Sequence, residues 1–461
     1  VPAADDIPLE PPLAIHRETV PAVEDRSYLL YAAAALTAAL GGGFLMAIVL
    51  PLAATGTIGG GDRVPWFTQA HGWIQLQGWA GLFVAGMAVR LIPRFAGRKP
   101  VPRRITVPLL MLLALPVAAR MTLEPFAKGT AGEWGARAIS FGSVPGLAGV
   151  AAVLLVTLAK GRRQREPWRY LAFAGATWWL AWAALAAWAG ARGARHDGLV
   201  PATFNDTLTW VAIFGPIANF IWAVQSRSVP IFFGRKTPPV RQMLVPGLLL
   251  NGGAALLALS LFSWSTETAA RLTGAGLLCA GVASTWFPFV AGAVGGKAKR
   301  LRPRARAAGR FVLAANIASA GAGAALVWAG AHTLLSGEAE AFGLRDAARH
   351  ALGLGLISML ILGMARLVAP VFALERVQPG GPSLVDRAPF WLMLGALALR
   401  VSAGLLYDQV SYESRMHLAA AAGVLAWLAI GLFALAMVRA VRAEKSTQAM
   451  LRGIAERHGR V

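Results

Sequence analysis

The sequence predicts an all-α polytopic membrane protein of about twelve transmembrane helices, arranged as three four-helix repeats with pseudo-threefold symmetry. Three observations predict it. The chain has 461 residues, of which 56% are apolar and only 14% charged, against about 25% charged in an ordinary soluble domain. Apolar runs of span length recur from Tyr28 to Arg439, each long enough to cross a hydrocarbon core of about 30 Å. Glycine, arginine and proline positions in the second span recur four and eight spans later, and internal repeats of this kind organise a whole fold.

Taken in order, the spans fall at 28–53, 66–93, 105–123, 137–160, 168–190, 204–232, 241–262, 270–294, 310–335, 346–372, 388–407 and 414–440. They form one transmembrane domain over 28–440, with repeats at 28–160, 168–294 and 310–440. Residues 1–27, with Asp5, Asp6 and several prolines, read as a polar cytoplasmic tail; they lack the basic and short apolar regions of a cleavable signal. Residues 441–461 read as a second cytoplasmic tail. Basic residues follow the even-numbered spans: Arg94, Arg98, Lys99, Arg103 and Arg104 after the second, Lys160 to Arg169 after the fourth, and Lys297 to Arg310 after the eighth. The positive-inside rule then puts both termini in the cytoplasm of a bacterial inner membrane. The net charge of +22 is therefore a matter of topology and anionic lipid, with the bilayer as partner and no nucleic acid.

The repeat is carried by Gly78, Gly86, Arg90, Pro93, Phe95 and Gly97. Adding 137 reaches Gly215, Arg227, Pro230, Phe232 and Gly234, and adding 277 to Gly78, Gly86, Pro93 and Phe95 reaches Gly355, Gly363, Pro370 and Phe372. Glycines allow close helix approach, and a proline at a helix end with a snorkelling arginine (Arg90, Arg227, Arg366) is a good span terminator.

Chemistry has few places to sit. The single cysteine, Cys279, excludes disulfides, cysteine zinc sites, iron–sulfur clusters and covalent haem. His16 and His458 lie in the tails, and His71, His196, His332, His350 and His417 lie at the outer span ends or in outer loops. His71 and His350 are on repeat-equivalent spans, at matching distances from Pro93 and Pro370. Two neutral imidazoles from facing helices can ligate a haem iron, although counting from Gly78 and Gly355 puts them two residues out of register. Arg120 and Arg400 are charges inside apolar runs, and such a charge carries a partner or lines a cavity; beside the histidines they suit the propionates of a non-covalent b-type haem. Pairing with Glu124 or Asp408 is the plainer role for the two arginines, as wetted helix ends are for the histidines. His332 and His417 lie at the same outer level and leave open a replacement ligand or a separate copper site. Gln75, Gln77, Asn219, Gln225, Asn251 and Asn316 read as interhelical hydrogen-bonding groups, and Trp73, Trp79 and Trp210 are placed to flank a macrocycle.

The stretch His71-Gly-Trp-Ile-Gln75-Leu-Gln-Gly78-Trp79, followed by Gly86 and Arg90-Leu-Ile-Pro93-Arg94-Phe95, resembles the second-helix signature of the NnrS family. Arg349-His350-Ala-Leu-Gly-Leu-Gly355, ending in Gly363-Met-Ala-Arg366, resembles that family's later histidine helix. The resemblance implies a twelve-span haem-binding membrane protein, with copper as an option, associated with resistance to nitric oxide stress or with another small diatomic ligand. The three-by-four layout is similar, more distantly, to the catalytic subunit of haem–copper oxidases, where second- and tenth-helix histidines hold a low-spin haem. This chain departs from that pattern: Leu208 stands where His71 would recur, and neither the rest of the sixth span nor the seventh holds a histidine. An oxidase copper set is absent, so terminal oxidase activity is not expected. The competing class is a non-redox transporter or assembly partner without haem.

Overall fold

The structure is a computed structural model that describes residues 26–162, 165–263, 265–294, 303–338, 342–368 and 383–457. His16, His458, Pro370, Phe372 and much of the basic run after the eighth span lie outside the described residues. Among the described residues the chain is helical throughout, with no strand. Twelve helices are long and apolar enough to cross a membrane: α1 Ser27–Ala54, α2 Gly61–Phe95, α3 Arg103–Thr122, α4 Gly129–Lys160, α5 Pro167–Gly193, α6 Ala202–Phe232, α7 Val240–Ser260, α8 Thr266–Val290, α9 Ala308–Ser336, α10 Phe342–Leu367, α11 Leu384–Leu405 and α12 Tyr412–Ala443. Two ends differ from the sequence expectation. Helix α4 begins eight residues before 137, and the last helix runs on to Arg457, so much of the segment expected as a tail is helical.

Burial sorts the helices into two groups. The apolar windows of α2 and α6 are 83% buried and that of α10 is 72% buried, while none of the other nine exceeds 50%. A helix apolar all round that is also buried all round belongs to the centre of a bundle; α2, α6 and α10 are the central helices. The outer nine turn leucine and aromatic side chains outward, including Leu115, Leu248, Trp328 and Trp391, each more than 60% exposed. The outer layer closes on itself: Trp427 Nε1 of α12 donates to the Leu40 carbonyl of α1 at 2.9 Å, and a Cβ at Gly423 would stand 2.7 Å from the Ala47 carbonyl.

Close packing uses small residues, as expected where lipid tails compete for every apolar contact. Helices α8 and α9 cross at Gly274–Gly330 and Gly281–Gly323, where an added Cβ would meet backbone at 2.5–2.8 Å. The glycines singled out in the sequence seat each central helix on the helix before it. Gly78 faces Ala38 at 2.8 Å and Gly86 faces Tyr31 at 2.4 Å, both on α1; Gly355 faces Ala318 at 2.4 Å and Gly363 faces Phe311 at 2.5 Å, both on α9; Gly215 faces Trp178 of α5 at 3.0 Å.

Polar groups inside the bundle are mostly paired, as backbone and side-chain groups in a lipid-like interior must be. Asn219 and Asn251 exchange both amide bonds at 3.1 Å, Trp178 donates to Asn251 at 2.8 Å, and Asn316 donates to Gln225 at 3.0 Å. Gln77 departs from the expectation that it binds a neighbouring helix: neither its Nε2 nor its Oε1 has a hydrogen-bond partner. The arginines near the proline ends have partners: Arg227 pairs with Glu166, Arg366 lies 3.4 Å from Asp386, and Arg90 is buried with its guanidinium 4.3 Å from the Tyr28 ring.

Four helices contain π-helical segments: Ala39–Gly43 in α1, Ile74–Leu82 in α2, Ile213–Ile217 in α6 and Ala351–Ser358 in α10. Such segments are rare and concentrate at functional sites. Here all three central helices carry one, and those of α2 and α10 begin within three residues of His71 and His350.

Candidate histidine and arginine site

His71 lies on the first part of α2, and its Nδ1 is 2.8 Å from the Gly43 carbonyl at the end of the α1 π-helical segment. A carbonyl only accepts, so this bond fixes the neutral imidazole with its proton on Nδ1 and its lone pair on Nε2. His350 is anchored the same way. Its Nδ1 is 2.9 Å from the Asp346 carbonyl and 3.2 Å from the Asp346 carboxylate, one helical turn back. Neither Nε2 has a hydrogen bond among the described residues.

His350, Arg400 and Asp346 all lie within electrostatic reach of His71. The histidines and one arginine singled out in the sequence therefore come together, from α2, α10 and α11. Arg400 Nη1 lies 2.7 Å from Asp346 Oδ2, so Asp346 binds both the arginine and the histidine; Asp408, the partner weighed from the sequence, is not used. Beside them, Arg345 and Arg349 of α10 both pair with Asp206 of α6. Arg349 also acts on Asp346, so two carboxylates and three guanidiniums form one chain of charge, with one positive charge in excess. The Arg349 guanidinium sits 5.0 Å from the Trp210 ring.

The Arg120 guanidinium binds Glu124, just past the end of α3, at 2.9 and 3.0 Å, reaches Ser140 at 3.4 Å, and lies 4.3 Å from the ring of Trp73, two residues from His71. Pairing with Glu124 is the plainer role foreseen for it. His332 and His417 lie on exposed faces of α9 and α12, and His196 is exposed in the α5–α6 connection. Among the described residues no three His, Cys, Asp or Glu side chains gather as a metal set. Of the tryptophans, Trp73 donates to Asn205 at 2.8 Å and Trp79 donates to Ser358 at 3.0 Å, the latter joining α2 to α10. Leu208, the α6 position matching His71, is fully buried.

Gly72 follows His71 and Gly353 lies one turn beyond His350, and a Cβ added to either would meet nothing within 4 Å, although both sit on central helices. Neutral nitrogen donors on facing helices, with each second nitrogen oriented by an oxygen acceptor, are a fitting set for an iron or other imidazole-binding metal. Asp346, Asp206, Gly43 and the π-helical segments went unread in the sequence. Asp346 at four residues before His350 was the available signal. No family model matches the chain, and no curated protein matches it either.

Proposed function

We propose that this chain is a membrane haem-binding protein of the NnrS kind, in which His71 and His350 would hold a non-covalent b-type haem, acting in the response to nitric oxide or in redox chemistry on a small diatomic ligand. One observation supports the reading most: two imidazoles on central helices, His350 within electrostatic reach of His71, each have Nδ1 bound to an oxygen acceptor and no hydrogen bond at Nε2. When bound, the haem would supply an iron that takes up and passes on an electron. The residues of the chain hold and orient. The Gly43 carbonyl sets the His71 tautomer, Asp346 sets that of His350, and Arg400, Arg345 and Arg349 give the site the cations that carboxylates bind. Arg120, bound to Glu124, is left out of this reading.

The three-by-four repeat belongs to the same proposal. It is supported by matched seats: Gly78 on Ala38 and Gly355 on Ala318, Gly86 on Tyr31 and Gly363 on Phe311, the α1 and α9 partners being 280 residues apart in both cases. The basic loops support an inner-membrane location with both termini cytoplasmic.

The test is the absorption spectrum of the purified full chain and of His71→Ala, His350→Ala, His332→Ala and His417→Ala. A Soret band that is lost or shifted in the first two and kept in the last two is the expected result. A colourless parent protein would favour a transporter or assembly partner without haem, and an unchanged spectrum in both His71→Ala and His350→Ala would overturn the ligand assignment.

A further inference from the structure

Away from the histidine pair, a second polar feature runs between α2, α3 and α4. Gln77 sits midway along α2, 8% exposed, with both side-chain polar atoms lacking a partner. It faces a cavity of about 20 Å³ whose lining also includes Ser143, Leu113, Trp179, Trp182 and Pro216. A buried amide left bare in an apolar interior is strongly unfavourable. A cavity of this size holds about one water, and that water needs two or more polar partners. Gln77 offers a donor and an acceptor, and Ser143 offers the lone pairs of a hydroxyl whose proton goes to the Ile139 carbonyl at 2.8 Å.

The cavity does not stand alone. Toward the end of the bundle that holds the α1–α2 and α3–α4 connections lies a smaller cleft lined by Trp66, Glu124, Gly132 and Ile139. Between the two stands the Arg120–Glu124 pair, side chains 4% and 7% exposed, with Gln69 donating to Glu124 at 2.5 Å and Arg120 reaching Ser140 at 3.4 Å. Ile139, Ser143 and Leu147 follow one another at four-residue steps, with Ser140 three residues before Ser143, so one side of α4 lines cleft, ion pair and cavity in turn. Trp73, under the Arg120 guanidinium, is 5.2 Å from Trp182 of the cavity wall.

We infer that Gln77 and Ser143 hold water at the inner end of a hydrated route that enters beside Glu124, with the Arg120–Glu124 pair as its constriction. The route is independent of the histidine pair and of which membrane side it opens to. It gives water a path to the middle of the bundle between α2, α3 and α4.

Radiolytic hydroxyl-radical labelling of the purified full chain tests this, since radicals made from a local water oxidise the side chains beside it. Trp179 and Trp182, both 3% exposed, serve as reporters, and Trp222, 1% exposed, as the dry control. The reporters should label about threefold or more faster than Trp222, and Gln77→Leu should bring them down to its rate because an apolar cavity stays dry. Glu124→Gln, which loosens the constriction, should raise their rate. Ser143→Ala gives the same reading as Gln77→Leu should that variant not fold, with a smaller fall. Reporters no faster than Trp222 would overturn the inference, and so would a fast rate that neither cavity variant lowers or that Glu124→Gln does not raise.

Discussion

Arg400 and Asp346 are joined across α10 and α11 at 2.7 Å, and the same carboxylate lies 3.2 Å from the His350 imidazole. Removing one partner of a buried pair leaves the other charged and unpaired, which costs about 3–5 kcal/mol. Asp346→Asn and Arg400→Met should each lower stability by roughly that amount, and the double variant should recover a good part of it. Thermal unfolding in detergent reads the cycle; strictly additive losses would mean that the pair is not coupled.

Glycine seats are the second prediction. Gly86→Ala and Gly363→Ala place a Cβ within 2.5 Å of Tyr31 and Phe311 respectively, and overpacking of this kind costs about 1–3 kcal/mol. Gly252, with nothing within 4 Å of its Cβ position, should accept alanine with no loss. Similar unfolding temperatures for all three variants would show that α2 and α10 do not depend on these seats.

The Asn219–Asn251 amide pair joins α6 to α7. Interhelical hydrogen bonds in membrane bundles average about 0.6 kcal/mol and reach about 1.7 kcal/mol. A double-mutant cycle with leucine at both positions should return a coupling in that range. A coupling near zero would assign the stabilisation to packing alone.

Arg120→Gln separates two roles for one arginine. Its bonds go to Glu124 and Ser140, so the variant should lose stability while any haem spectrum of the parent stays unchanged. A shifted Soret band in Arg120→Gln, with Arg400→Met silent, would return Arg120 to the histidine site.

The spans were legible in the sequence because hydrocarbon thickness sets a length that composition reveals directly. The exceptions are instructive. The first turns of α4 carry Glu133 and Arg137 and so break the apolar run, yet Gly132 packs them against the Asp197 carbonyl and the helix forms. His71, His350 and Arg400 stood out as polar residues against apolar neighbours. Gly43 could not, because its contribution is a carbonyl oxygen that every residue possesses. Arg120 had two readings in the sequence, and Glu124, four residues on in the turn that follows α3, is the partner it binds. Asp346 was obscured by its place at the polar start of α10.

The π-helical turns beside His71 and His350 make the direction of each imidazole a matter of counting peptides. A π-helical turn holds one residue more than the α-helical turn it replaces, and one residue of α-helix is about 100° of rotation. Deleting a single amino acid from Ile74–Leu82 would let one wide turn close as α-helix and leave His71 facing nearly as before relative to Gly86, whereas the same deletion in a regular α-helical stretch would swing the residues before it by about 100°. The wide turns are thus places where the central helices can gain or lose a residue while the histidine and the glycine seats on either side keep their directions.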